Sequence, residues 1–464
     1  MGSVIGACLA DAGARVLGVD PDPGIVAGLA EARPAVSEPG LSELIARNLE
    51  RLRFTCEAQP LAEASQAWVA FDTPVDEDDR ADVEWVLASS ARLLTRLRAG
   101  ALVIVSSQLP VGSVAELQAR CAALRGSEDL RFACVPENLR LGDAVSCFRA
   151  PERIVAGVRS EADRQELAEV LAPFSTDVQW MGVESAEMTK HALNGFLATS
   201  VAFINEIASL CELVGADASE VARGLKSERR IGPHAYLEPG GAFAGGTLAR
   251  DVRFLCGLAE RHRLPSHVCQ GVANGNAAHK LWSQRKLLQL LGEGELDGEP
   301  LAGRVVTVWG LTYKPGTDTL RRSSAVELCH WLKRMGASIR AHDPAIGTVA
   351  PSLEETVSLL PSPLEAAQGG EALVICTAWP EYREVPMGDV LSALARPLVI
   401  DPSGWLGESM SHHRDACHLR VGFPGERQES APKRSISPAP RSGPSRDAMT
   451  LLSASAPTRQ GVER

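Results

Sequence analysis

Only three tyrosines occur in 464 residues, and none stands four places before a lysine, so the Tyr-x-x-x-Lys pair used by NAD-dependent epimerases is missing. The eleven cysteines show no paired spacing. This excludes a disulfide framework and a zinc ribbon, and it fits reduced thiols in the cytoplasm. No block of Lys or Arg lies in the part that reads as folded, and the formal charge is −11 with a pI near 5.5. That balance argues against nucleic acid or a membrane surface as partner. Any anionic ligand must be met by a few local cations. The opening, MGSVIGACLADAG, has no basic segment ahead of its apolar residues, and no apolar run approaches the ~18 residues of a membrane span. The expected compartment is the cytoplasm.

What is present is a rhythm. Short apolar, β-rich runs at 15–20, 67–74, 101–110, 131–139 and 153–158 alternate with helical stretches, the pattern of a doubly wound parallel α/β sheet. From Glu184 to Val214 the chain runs without proline at helical apolar spacing, which predicts one long helix. After the polar stretch at 293–303 the alternation restarts with RVVTVWGL, SIRAHDP, EALVICTAW and RPLVIDP. The expected organisation is a Rossmann-like domain over 1–183, a central helical domain over 184–292 and a second Rossmann-like domain over 300–420. A Pro-, Ser- and Arg-rich tail over 424–464 reads as disordered.

A dinucleotide fold opens with a strand, a Gly-rich turn and a helix, and carries an acid at the end of its second strand. Here Gly2 opens the helix and Asp20 follows the second strand, while the first strand and two earlier glycines are absent. Either the start codon has been placed too far downstream or the strand has been lost. The first is preferred, because deleting a central strand exposes its neighbours' hydrogen-bonding edges. Asp20 reads either as a ligand for ribose hydroxyls or as the cap of a turn.

Six segments in order resemble the UDP-glucose/GDP-mannose dehydrogenase family, from Gly2 to about Leu419: VIGACLADAGARVLGVD with EPGLSEL, DTP at 72–74, SSQLPVG at 106–112, PENLRLG at 136–142, EMTKHALNGFLATSVAFINE, and GLTYKPGTDTLRRSSAVEL. The resemblance implies two Rossmann-like domains joined by a central helix that also dimerises the protein. It implies NAD on the first domain, a UDP- or GDP-sugar between the halves, and oxidation of the sugar C6 alcohol to a carboxylate in two hydride transfers. In the family a cysteine traps the aldehyde as a thiohemiacetal, and water later cleaves the thioester.

Placed on the family's glycine-rich catalytic loop, PGGAFAGGTLARD at 239–251 puts Thr247 where the nucleophilic cysteine stands. A threonine hydroxyl is far less acidic than a thiol of pKa ~8.5 and needs a dedicated base. Leu141 and Gln108 depart from the family in the same direction, standing for a Glu and a Thr. Cys256 follows Thr247 by nine residues, ~13 Å of helix, and reads as a buried helix residue. By resemblance, Lys190 and Asn194 hold water and stabilise the developing alkoxide or oxyanion, and their i,i+4 spacing puts them on one helix face. Asp251 and Glu137 match the family's proton acceptors, although either also reads as a cap or an ion-pair partner.

Gly2, Asp20, Thr73, Pro74, Ser107 and Arg321 fall on cofactor positions. Arg230, Gly240, Gly241, Phe243, Gly245 and Lys314 fall on sugar-nucleotide positions, where the glycines allow close backbone approach and positive φ. HHRDACH at 412–418 has no second ligand cluster to frame a metal, and no metal is expected. Two readings result: an oxidoreductase that stops at the aldehyde, or a non-catalytic paralogue that binds the sugar nucleotide.

Overall fold

The computed structural model describes residues 1–424 apart from 37, 77–80, 138, 141, 245, 294–297, 322 and 350. The tail, Leu141 and Gly245 therefore lie outside the described residues. Among the described residues thirteen strands form three sheets. β1 (Val16–Val19) and β2 (Leu52–Thr55) pair in parallel as a two-stranded sheet. β3 (Gln66–Val69), β4 (Leu102–Val105), β5 (Arg131–Cys134), β6 (Ile154–Gly157) and β7 (Val178–Met181) follow one another in a second sheet. The pairing there is parallel except between β5 and β6, which meet antiparallel at Cys134 and Gly157. Among the described residues β1 therefore has one partner and β3 is an edge. The helix Gly2–Asp11 lies between these strands: it packs on β1, and the Cα of Gly2 points at Ala70 just past β3.

The third sheet contains β8 (Val305–Trp309), β9 (Ser338–His342), β10 (Val357–Leu359), β11 (Ala372–Ile375), β12 (Leu398–Ile400) and β13 (Cys417–Leu419). Their order is β10-β9-β8-β11-β12-β13, all parallel. This is the doubly wound, Rossmann-like arrangement. Its central strands β8, β11 and β12 are buried at every position except Val305, so their side chains are enclosed on both faces, as continuous apolar runs require. Gly310, after β8, has φ +87°, and a Cβ there would lie 2.4 Å from that of Thr377. Only glycine fits this turn.

Asp343, after β9, occupies the position that in a dinucleotide domain reads ribose hydroxyls. Here its carboxylate accepts from the N–H groups of Leu311 and Thr312 at 2.7 and 2.9 Å, and from Ala345 N–H at 2.9 Å. The acid is spent on closing its own domain's turn.

Between the sheets runs a helix of 32 residues, Val183–Val214. By length and hydropathy it is the one described helix that could cross a membrane, which corrects the expectation that no stretch comes near that length. Its inner face nevertheless carries buried Glu187, His191, Asn194 and Asn205. That face packs against the helices Thr247–Arg261 and His267–Lys280. A polar face enclosed by protein marks a core helix rather than a lipid-facing one.

Candidate active site

Glu187, Lys190, His191 and Asn194 follow the i, i+3, i+4, i+7 spacing of one helix face. Three other segments meet that face: the loops after β4 and β5, and the first turns of Thr247–Arg261. Lys190 donates from Nζ to the Glu137 carbonyl at 2.5 Å, so it holds the loop after β5 by its backbone. Burial pulls the Lys190 ammonium below the ordinary lysine range, opposed by the charges of Glu137 and Asp251. Glu137 is half-buried, and its own carboxylate accepts from Leu139 N–H at 2.5 Å.

Asp251 is fully buried. Its Oδ1 accepts from Gln108 Nε2 at 2.6 Å and lies 3.0 Å from His191 Nδ1, while Oδ2 accepts from Asn194 Nδ2 at 2.5 Å. The acid expected beside the nucleophile is thus committed to three side chains. Gln108, read from sequence as a loss, is engaged at both ends of its amide, for its Oε1 also accepts from Arg250 Nη2. Asn194 is aligned with Lys190 as the helical spacing predicts, one turn further on and buried.

The expected loop at 239–251 ends earlier than the sequence suggests. Thr247 is already the first residue of the helix, exposed, behind Gly246 at φ +109°, ψ −141°, a conformation essentially confined to glycine. Thr247 and Asp251 are one helical turn apart, but only Thr247 reaches solvent. Gly240 and Gly241 do not take positive φ, contrary to expectation. Nor is their segment a loose link: Asn205 accepts from Gly240 N–H at 3.0 Å and donates to the Gly241 carbonyl at 3.2 Å. Asn276 makes the same pair of bonds to the backbone of Phe243, at 3.0 and 2.9 Å, and His279 Nε2 lies 2.8 Å from the Gly240 carbonyl. Two amides and an imidazole therefore clamp the loop by its main chain.

Cys256 packs among Ala198, Val252 and Val272, and burial raises its thiol pKa. It is a helix-packing residue, half-buried rather than buried as expected.

On the cofactor side, Asp20 ends β1 and accepts from Asp22 N–H at 2.9 Å, the turn-capping role. Thr73 is buried and donates to the Gln108 carbonyl at 2.7 Å, while Pro74 is exposed beside it. Arg321, far along the chain, donates to the Val75 carbonyl. It thereby reaches the loop that follows Thr73 and Pro74. Ser107 Oγ is buried without a hydrogen-bond partner among the described residues, and such an orphaned hydroxyl has capacity for a polar ligand. The Asp20 carboxylate and the Thr73 and Ser107 hydroxyls, with the Pro74 carbonyl, offer donors and acceptors of the kind that the hydroxyls and phosphates of NAD require.

Arg230 is exposed and pairs with Glu228 at 3.0 Å, and Lys314 is half-buried. Neither joins the cluster around Asp251. Among the described residues no three His, Cys, Asp or Glu side chains are grouped to hold a metal.

Sequence reasoning missed His191, Glu187 and Glu38. Glu187 accepts from the N–H groups of Gly112 and Val114 at 2.8 and 3.0 Å, capping the helix Ser113–Arg125. Glu38, in EPGLSEL, accepts from Gly142 and Ala144 N–H at 2.8 and 2.6 Å. Glu38 is joined to a backbone 104 to 106 residues away, so no local spacing announces it, whereas the helical spacing that Glu187 and His191 share with Lys190 and Asn194 was a signal that could have found them.

Comparison with known proteins agrees with this architecture. Three profiles of the UDP-glucose/GDP-mannose dehydrogenase family match in order: the NAD binding domain over residues 1–175, the central domain over 184–278 and the UDP binding domain over 307–408. A UDP-glucose 6-dehydrogenase of Pseudomonas aeruginosa is 36% identical over 419 residues, covering 86% of this chain and 90% of its own. One of Rhizobium meliloti is 33% identical over 410 residues, covering 86% and 92%. The solved UDP-glucose dehydrogenase of Pyrobaculum islandicum superposes with a TM-score of 0.74 at 32% identity, covering 83% of this chain and 89% of that one. The chain belongs to the UDP-glucose/GDP-mannose dehydrogenase family, with NAD as the cofactor of its first domain.

Proposed function

We propose that this protein oxidises the C6 alcohol of a UDP-sugar, UDP-glucose being the substrate named for its relatives, and that the reaction stops at the aldehyde. The observation that carries this is Thr247 at the position of the family's trapping cysteine, in a chain that keeps Lys190 and Asn194 at the family's positions on the central helix. When bound, NAD supplies the hydride acceptor. Loss of hydride from C6 and of a proton from its oxygen gives an aldehyde, a two-electron change. Lys190 and Asn194 offer N–H donors to the developing alkoxide. Glu137, half-buried and bonded to Lys190 through its carbonyl, is our choice for the proton acceptor, since Asp251 is enclosed behind Gln108, His191 and Asn194.

A second oxidation needs a covalent adduct or hydrate at C6. The Thr247 hydroxyl is a weak acid, and its neighbouring carboxylate is fully engaged, so the adduct does not form. Counting NADH per UDP-sugar at 340 nm, with mass spectrometry of the product, tests the reading. One NADH and an aldehyde are expected. Two NADH and an acid overturn it. Sugar-nucleotide binding without NADH would favour a non-catalytic protein, a reading that the full engagement of Asp251 also supports.

The same proposal divides the chain into a cofactor domain over 1–183, a central domain over 184–292 and a sugar-nucleotide domain over 300–420, working in the cytoplasm as a homodimer. The outer face of the central helix supports the dimer. Phe196, Phe203 and Leu210 recur every seven residues at 70%, 48% and 53% exposure, followed by Leu213 and Val214 at 82% and 78%. An apolar seam of that period suits a partner helix. Phe203→Asp combined with Leu210→Asp is expected to yield monomers by light scattering with an unchanged circular dichroism spectrum. A dimer surviving both changes places the interface elsewhere.

A further inference from the structure

The loops after β4 and β5 end alike. The first ends at Gly112, with φ +94°, and the second at Gly142, with φ +91°. In each, a carboxylate from a distant part of the chain accepts from the N–H of that glycine and of the residue two places on. A turn with one residue in the left-handed region directs neighbouring N–H groups at a single anion. For the first loop the acid is Glu187, on the same helix as Lys190. For the second it is Glu38, to which neither the resemblance nor the proposed reaction gives a task. Glu38 is 7% exposed. Its Oε2 accepts from Gly142 N–H at 2.8 Å and its Oε1 from Ala144 N–H at 2.6 Å. Both carboxylate oxygens are thus engaged in charge-assisted bonds, which fix direction as well as distance.

We propose that Glu38 is a positioning residue for hydride transfer: it fixes the far end of the loop that presents Glu137, and so sets where the proton acceptor stands. The proposal rests on the reading that the chain oxidises a UDP-sugar with Glu137 as that acceptor.

The loop is fastened at both ends, to different parts of the molecule. At its near end the Glu137 carbonyl accepts from Lys190 Nζ of the central helix at 2.5 Å. At its far end Glu38 reaches it from the cofactor's side, for Glu38 lies between the helices Pro23–Ala30 and Leu41–Arg47, in the stretch that follows Asp20. The core beneath joins the same pieces. Leu41, Leu44 and Ile45 cluster with Ala144, and half-buried Leu139 and Phe148 pack against them. Arg149 pairs with Asp11 at 3.3 Å, which ties the end of Ala144–Arg149 to the helix that Gly2 opens.

Without the Glu38 carboxylate, the N–H of buried Ala144 loses its acceptor. The far end of the loop is released while its near end stays on Lys190. A reacting group displaced by about 1 Å can lose ~10² in rate although no residue touching substrate has changed. A merely stabilising Glu38 predicts a different outcome, in which the melting temperature falls and the folded fraction reacts at the wild-type rate.

The test uses the full chain and two readouts. Amide hydrogen exchange is followed by mass spectrometry in peptides covering 139–149, without substrate. Glu38→Ala is expected to speed exchange there about tenfold or more, with peptides from 300–420 unchanged. Glu38→Gln, which keeps one acceptor oxygen, should fall between that variant and wild type. Unchanged exchange over 139–149 in Glu38→Ala overturns the proposal. In single-turnover assays with UDP-glucose at saturating NAD, Glu38→Ala is expected to slow the first hydride transfer about tenfold to a hundredfold, and Glu38→Gln less. Glu38→Ala with Glu137→Gln should be no slower than Glu137→Gln alone. A double variant that loses the product of the two single effects overturns the coupling. So does a Glu38→Gln protein whose KM for NAD rises while its saturated rate stays that of wild type, since that assigns Glu38 to the cofactor's seat. If wild type makes no NADH from any UDP-sugar, the functional reading fails and the role of Glu137 with it, while amide exchange still decides whether Glu38 holds the loop.

Discussion

Thr247→Cys is expected to raise the yield from one NADH per sugar to two, with a uronic acid replacing the aldehyde. The side chain at 247 is exposed at the first position of a helix, so the sulfur enters with little steric cost. Helix N-termini favour negative charge and lower thiol pKa, so the new cysteine would be partly thiolate near neutral pH. A thiolate adds to an aldehyde without a general base, and the tetrahedral adduct can give up the second hydride. If Thr247→Cys still stops at one NADH, the obstacle lies in the grip of Gln108 on Asp251 and Arg250. Gln108→Thr in the cysteine background would then be the next substitution to measure.

Lys190→Met should cost about 10²–10³ in the rate of the first hydride transfer, the range for removing one donor aimed at a developing oxyanion. Methionine keeps the length and removes the charge, and the Glu137 carbonyl also loses its donor. Because burial lowers the Lys190 pKa, its ammonium is lost at a lower pH than that of an ordinary lysine. The charged form is the active one, so the rate falls as pH rises through that lowered value. The wild-type alkaline limb is therefore expected below the ordinary lysine range of ~10.4. It should vanish in Lys190→Met, and a limb that survives in this variant assigns the titration to another group.

The sequence made legible what repeats or lies close by. The long helix was visible as an unbroken apolar periodicity, and its structural limits, Val183–Val214, differ from the expected start by one residue. Lys190 and Asn194 share a face because four residues nearly complete a turn. Four strands escaped notice: β2, β7, β10 and β13 are three or four residues long and read LRFT, VQWM, VSL and CHL. Such short runs, interleaved with polar residues, carry little signal before a neighbouring strand supplies the other half of the ladder. The polar partnerships were less legible still. Gln108 meets Asp251 across 143 residues, and Asn205 and Asn276 hold backbone 33 to 36 residues away. A buried amide is chosen by the groups that surround it after folding, and those arise from chain topology rather than from local spacing. For that reason Gln108 looked like a missing hydroxyl when read beside its own loop alone.

The central helix carries two scripts in one reading frame. Its inner face ends the catalytic run at Asn194, and its outer seam passes through Phe196 and Phe203. Each residue turns an α-helix by about 100°. One residue inserted between Asn194 and Phe203 would therefore swing the seam about a quarter-turn away from the site, even if every side chain named here were kept. If the proposed dimer forms on that seam, length in this stretch is under stricter constraint than composition: substitutions there can be absorbed singly, whereas an insertion or deletion must choose between the pocket and the seam.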